Sequence, residues 1–417
     1  MKMEHIPAAL PRGAASIPFP RPALPSWVIV VGSAVSLAVA MGIGRFAFTP
    51  ILPMMIRDGA LDLSFGSTLA SANYLGYLAG AMLCMGLPRI WSSAALTRWG
   101  LALTVALTFA MLIGNHLDWI VFRFVIGVAS AIVLIHTSRW CLALLGAQGR
   151  STMGSIMFTG VGFGIALSGF AVSGMVQLGW SSRSGWLCFG VIATILTAVV
   201  WRIFRTSELP FVHGAHSHVL TSDVPENAGE MTFFSLAYGL AGFGYIITAT
   251  FLPVIARATL PSSASVWLDL FWPAFGLAAV VGSLIVVCTE WVRDPRLALT
   301  LCYILEGTGV VGAMLVPTIA GFFVSSILAG LPFTAINFYS MREVTRLRPH
   351  HAARYMGLLT ALFSIGQIAG PPMVKVILGF TNSQQAGFAL SLKVAAGALA
   401  IGAVMFLFMA WKWPVRK

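Results

Sequence analysis

Residues 27–56 read WVIVVGSAVSLAVAMGIGRFAFTPILPMMI, thirty positions among which Arg45 alone is charged. A hydrocarbon core about 30 Å thick is crossed by about 20 apolar residues in a helix, so this stretch is long enough to span. Runs like it recur along the chain. They fall at 27–56, 64–87, 94–114, 119–146, 153–178, 185–205, 231–256, 264–289, 297–315, 320–341, 355–379 and 386–411, which predicts an all-α polytopic membrane protein with twelve transmembrane helices. The composition of the 417 residues agrees: 58% are apolar and 9% charged, with a mean hydropathy of +0.89. Ordinary soluble chains are about 45–50% apolar and about 25% charged, so soluble domains are excluded as the main architecture.

Outward from the spans, the remaining residues set topology. The five cysteines (Cys84, Cys141, Cys188, Cys288 and Cys302) lie in or at the ends of apolar runs without CxxC spacing, which excludes a disulfide scaffold and a zinc ribbon. A net charge of +12 would suit nucleic acid if it were clustered, but the 25 Lys and Arg are scattered singly between spans, and no nucleic-acid partner is expected. Residues 1–26 carry six prolines and no apolar h-region, so they read as a disordered tail and not as a signal peptide. An even number of spans puts both termini on one side. That side, with the even-numbered connections, holds 18 Lys and Arg, the other holds Arg57, Arg183 and Arg257, and Arg45, Arg123, Lys375 and Lys393 lie within spans. The positive-inside rule therefore predicts cytoplasmic termini.

A long polar connection at 206–230 divides the spans six and six. Sliding the chain by 200 residues lays Gly42, Gly44, Leu52, Pro53 and Arg57 on Gly242, Gly244, Leu252, Pro253 and Arg257. After a register slip of six, Gly160-x3-Gly164 meets Gly366-x3-Gly370. The expected organisation is a tail (1–26), an N-terminal six-helix bundle (27–205), a cytoplasmic linker (206–230), a C-terminal six-helix bundle (231–411) and a short cytoplasmic tail (412–417), the bundles being pseudo-symmetric.

This layout, with Arg123-x3-Gly127 early in span 4, resembles the major facilitator superfamily. Gly42-Ile43-Gly44-Arg45-Phe46-Ala47-Phe48-Thr49-Pro50 and Ser364-Ile365-Gly366-Gln367-Ile368-Ala369-Gly370-Pro371 resemble its YbfB/YjiJ branch. The resemblance covers nearly the whole chain after the tail. It implies a monomeric secondary transporter of the bacterial cytoplasmic (inner) membrane that works by alternating access, with spans 1, 4, 7 and 10 lining the cavity. It also implies a role for Arg123 in proton coupling or in organising that cavity. Two departures matter. The loop after span 2, Met85-Gly86-Leu87-Pro88-Arg89-Ile90-Trp91, lacks the family's acid, whereas Glu290 to Arg296 keeps both signs, so gating charges are assigned to Arg293 and Asp294. The span 5 glycine motif lacks its proline while span 11 has Gly370-Pro371, so that motif does not give the direction of transport.

Charged residues inside spans are the strongest functional signal, since each costs about 2.5–3.5 kcal/mol or more at mid-bilayer. Arg45 is the first candidate for ligand contact, the bland alternative being a side chain paired with backbone carbonyls. Arg123 lies near a span end, where snorkelling competes with a functional role. Tyr238, Gly242, Tyr245 and Thr248 form one helical stripe, and Thr360, Ser364, Gln367 and Pro371 another. Most such polar residues are interhelical glue. The substrate-binding candidates are Arg45, Tyr245, Asn73, Tyr77, Tyr238, Asn337 and Gln367, and the coupling or gating candidates are Arg123, Glu306, Asp269, Arg293 and Asp294. Glu306 is the carboxylate nearest the middle of a span, although the resemblance places span 9 outside the cavity; His136 is a lesser candidate. The trio His213, His216 and His218 reads as solvated linker more than as a metal site. Arg342 to Arg354 reads as a topology anchor on anionic lipid.

A secondary transporter of a small solute is the leading function, with protons and membrane lipids as the further expected partners and no cofactor. Two buried arginines against one buried acid favour an organic anion; many aromatic and Met side chains make export of hydrophobic or drug-like compounds the alternative. A membrane-embedded enzyme would need a catalytic cluster that is not visible. ATP drive would need a GxxxxGK[ST] loop, and none is present.

Overall fold

The computed structural model describes residues 24–86, 91–206, 228–259, 267, 270–289, 292–348 and 351–415. Its regular elements are all helical. Helix α1 (Ser26–Leu37) widens into a π-helical segment (Ala38–Phe46) and continues as α2 (Phe48–Arg57), followed by α3 (Leu63–Gly86), α4 (Ser93–Ala110) and α5 (His116–Ala147). A 3₁₀ segment (Ser151–Phe158) leads into α6 (Thr159–Gln177), and α7 (Ser182–Thr206) follows. The rest is α8 (Ala228–Thr259), α9 (Phe271–Val287), α10 (Pro295–Leu315), α11 (Ile319–Leu347), α12 (Ala352–Phe380) and α13 (Gln384–Lys412). Among the described residues nine helical stretches are long and apolar enough to cross a membrane. Helices α3, α10 and the 17-residue α9 pack among them. This is a multi-pass membrane protein. The span expected at 264–289 is helical from Phe271 to Val287. Asp269, His213, His216 and His218 lie outside the described residues.

Local chemistry sets the helix ends. Ser92, Thr318 and Ser383 each accept a backbone N–H with the side-chain oxygen three residues before it, and Asn115 forms a reciprocal capping box with Asp118. Asp294 caps α10, whose first residue is Pro295, where a missing N–H costs nothing. At the exit of α6 the chain turns through Gly179 with φ of 70°, a conformation that glycine adopts freely.

Small residues let the helices approach closely, as expected where packing rather than hydrophobicity drives association. A Cβ on Gly42 would fall 2.4 Å from the Cα of Gly164, and one on Gly276 would fall 2.7 Å from the carbonyl oxygen of Gly162. These contacts seat the π segment on α6 and α6 on α9. Elsewhere α3 packs on α5 and α12, α4 on α5 and α7, α9 on α11, α10 on α11 and α13, and α8 on α12 and α13.

The π segment departs from the unbroken apolar helix that the sequence suggests. All nine of its residues are buried. Donors on α5 satisfy its carbonyls from outside: Arg123 Nη1 donates to Gly44 O at 2.9 Å, Arg123 Nη2 to Arg45 O at 3.1 Å, and Ser130 Oγ to Ala40 O at 2.9 Å. Pro50, lacking an N–H, has no hydrogen to return to the turn before it. Wide turns of this kind are rare and concentrate at functional sites.

Candidate functional site

The π segment delivers Arg45 to the middle of the packing. Its side chain is 3% exposed, and its guanidinium carbon lies 3.7 Å from the ring centroid of Tyr77 on α3 and 5.5 Å from that of Tyr74. Such a cation over a ring face is worth about 2 kcal/mol when desolvated. One N–H bond is made: Nη2 donates to Gln367 Oε1 on α12 at 2.5 Å. Gln367 Nε2 in turn donates to the Tyr245 hydroxyl on α8 at 2.6 Å. Arg45 Nε and Nη1 have no hydrogen-bond partner among the described residues.

Aromatic rings extend the cluster. Tyr245 stacks on Phe363 with centroids 5.5 Å apart and lies 4.9 Å from Phe333. Phe363 is 5.0 Å from Tyr238, whose hydroxyl donates to Asn337 Oδ1 at 2.7 Å. On the other flank Phe46 meets Trp272 and Phe333 edge-on. Thus Arg45, Tyr77, Gln367, Tyr245, Tyr238 and Asn337 form one connected group drawn from the π segment, α3, α12, α8 and α11. Asn73 stands to the side of it. Its Nδ2 donates to Arg123 O at 3.0 Å, which ties α3 to α5.

Arg123 does not snorkel. It is 2% exposed, lies against the Phe48 ring with its guanidinium carbon 4.6 Å from the centroid, and spends two donors on the π segment's carbonyls. Glu306 on α10 is 1% exposed, and neither carboxyl oxygen has a hydrogen-bond partner among the described residues. It lies one turn beyond Tyr303, whose hydroxyl donates to Ala237 O on α8. His136 Nδ1 and Ser93 Oγ are 3.3 Å apart at the α4–α5 contact.

The charged pair expected at Arg293 and Asp294 is arranged differently. Arg293 is exposed, and the partner of Asp294 is Arg296. Arg293 precedes the helix and points away, whereas Arg296 sits in the first turn of α10 and faces inward at 0% exposure. Arg296 donates to both carboxylate oxygens of Asp294 at 2.8 and 2.9 Å, to Glu230 Oε1 at 2.9 Å, to Met409 O at 3.2 Å and to Trp413 O at 2.7 Å. Beside it Arg346 grips both oxygens of Glu343 at 2.8 and 2.6 Å. Part of the basic run read as a lipid anchor is therefore turned inward, because α11 continues to Leu347. Asp294-Pro295-Arg296, an acid cap three residues long with proline at the helix start, was the available signal for this network.

What the central cluster can do follows from its donors. A buried guanidinium with an open edge binds a planar anion through two parallel N–H bonds. A family model described as "Uncharacterised MFS-type transporter YbfB" matches residues 37–407, which takes in every residue of both clusters except Met409 and Trp413. No curated protein matches the chain. With its membrane-spanning helices and a match over most of its length, the chain belongs to the YbfB-type family of MFS transporters.

Proposed function

We propose that this transporter carries a small organic anion across the cytoplasmic membrane by alternating access, with Arg45 as the group that receives the anion. The observation that carries this reading is a buried cation with donors to spare: among the described residues Nε and Nη1 of Arg45 have no hydrogen-bond partner, and Nη2, which completes a two-point fork with either of them, is held by a neutral amide. A carboxylate arriving there takes one open donor together with a hydrogen of Nη2, and so competes with Gln367. The moving parts we propose are two six-helix halves, 27–205 and 231–411. Support comes from packing that repeats in kind, since α3 with α5 is mirrored by α9 with α11, and the π segment with α6 by α8 with α12. In this scheme α3 with α12 and α6 with α9 are the seams between the halves, and the Arg45–Gln367 bond crosses between them. The charge bias supports cytoplasmic termini and linker, which reporter fusions after Pro225 and Lys417 test; a periplasmic signal from either overturns the twelve-span arrangement.

Proton coupling is proposed through Glu306. A buried acid whose two oxygens have no hydrogen-bond partner among the described residues is one whose charge can follow a proton. The test of the anion site is a panel of mono- and dicarboxylates screened for stabilisation of the purified protein, followed by uptake of the best stabiliser into proteoliposomes. Arg45→Lys is expected to lower transport about tenfold or more, because a point charge replaces a planar fork. Arg45→Ala is expected to abolish it at normal membrane abundance. Full transport by folded Arg45→Ala would sink the reading and favour export of hydrophobic compounds, which the aromatic cluster of Phe46, Trp272, Phe333, Phe363 and Tyr245 supports as a second reading.

A further inference from the structure

We infer that the groove between α4 and α7, remote from Arg45, is a binding site for one anionic phospholipid. The groove has a volume of about 440 Å³ and is lined by Ala102 and Val105 on one side and by Thr194, Thr197, Trp201 and Arg202 on the other. On α4, Ala102 and Val105 follow Arg98 by four and seven positions, so all three lie on one stripe. Thr194, Ala198 and Trp201 are spaced alike on α7, and Arg202 follows Trp201 directly. The trough thus runs for about 12 Å of helix from a basic mouth into apolar wall.

Three independent features of the trough name its occupant. None of its lining residues is acidic, while Arg202 lines it and the Arg98 guanidinium lies 5.8 Å from the Trp201 ring. Two guanidinium groups at the end of a spanning helix suit a phosphodiester, whose oxygens accept forked N–H bonds. Trp201 meets Trp99 edge-to-face at 6.0 Å, and indoles of this kind mark headgroup depth. Further in, Thr197 is 7% exposed and its Oγ1 has no hydrogen-bond partner among the described residues. It lies five residues, about 7–8 Å, below Arg202, the depth at which a glycerol ester carbonyl hangs beneath a phosphate. The apolar remainder of the groove then receives an acyl chain. Headgroup, ester and chain each meet a matching surface, and a soluble anion would leave two of the three unmet.

The experiment is native mass spectrometry of the full chain released from mixed micelles with equal phosphatidylglycerol and phosphatidylcholine. One retained phosphatidylglycerol is expected, at a preference of about 25-fold. Arg98→Gln and Arg202→Gln are each expected to lower that preference about fivefold, equivalent to about 1 kcal/mol per arginine. Ala198→Trp, on the exposed face of α7, fills the groove while keeping both charges and is expected to remove the retained lipid. Variants are compared as monodisperse protein, and Ala198→Trp stands as the second arm where a charge variant fails to fold. A preference unchanged in the arginine variants or in Ala198→Trp overturns the site. So does displacement of the lipid by millimolar inorganic phosphate, which would show that the mouth reads a free anion and not a lipid.

Discussion

Arg45 and Arg296 are both sealed within the helical packing, and they are held in opposite ways. Arg296 spends all five N–H donors, three on carboxylate oxygens of Asp294 and Glu230 and two on the backbone carbonyls of Met409 and Trp413. Among the described residues Arg45 spends one, on a neutral amide, and rests its face on a tyrosine. A saturated arginine is a rivet. Its charge is cancelled, its geometry is fixed, and no ligand can compete for it. An unsaturated one carries a standing cost that only a function explains. The contrast separates two roles for the same residue type by counting donors, without appeal to position in the chain.

Stability measurements can break that contrast. The largest effect is expected for Arg296→Met, which takes the most enclosed cation away from Asp294, Glu230 and Glu343. Losing one side of a buried ion pair costs about 3–5 kcal/mol, so the thermal midpoint in detergent should fall sharply. A near-normal midpoint would show that the network is idle. Next in size is Gln367→Leu, which strips Arg45 of its one hydrogen-bond partner among the described residues and strands the Tyr245 hydroxyl. An unsatisfied buried group of this kind costs about 1–3 kcal/mol. Smallest is Arg45→Met, where removing an under-bonded cation offsets the lost ring contact and the midpoint should move by less than about 1 kcal/mol, even though transport is lost. A collapse in stability with Arg45→Met would put Arg45 in the same class as Arg296 and erase the distinction.

Much of the central cluster was legible in the sequence because the cost of polar groups in hydrocarbon is a one-dimensional signal. Arg45 stood alone in thirty residues, and helical spacing put Tyr238 with Tyr245 and Gln367 with Ser364. Two things were not legible. Ring partners such as Phe363 and Phe333 look like any other apolar residue until helices are docked, so the aromatic surround of Tyr245 had no mark of its own. The Arg296 network was hidden for a different reason: charges near span ends serve topology, and whether they also pair inward depends on where the helix starts. The arginine paired with Asp294 is Arg296, less than one turn beyond the exposed Arg293, in a helix that starts at Pro295.

The wide turn at Ala38–Phe46 has a geometric consequence for everything after it. In a regular helix each residue advances the side-chain direction by about 100°, so one added or removed residue re-aims all that follow. A π turn absorbs extra residues into the same length of rod, acting as a phase shift between α1 and α2. The lipid-facing stripe chosen by α1 is therefore uncoupled from the inward aim of Arg45. Packing constraints on one half of this span do not have to be compatible with the angular placement of the charge on the other, and deletion of a single residue before Arg45 would swing that charge toward a different neighbour while leaving both helices intact.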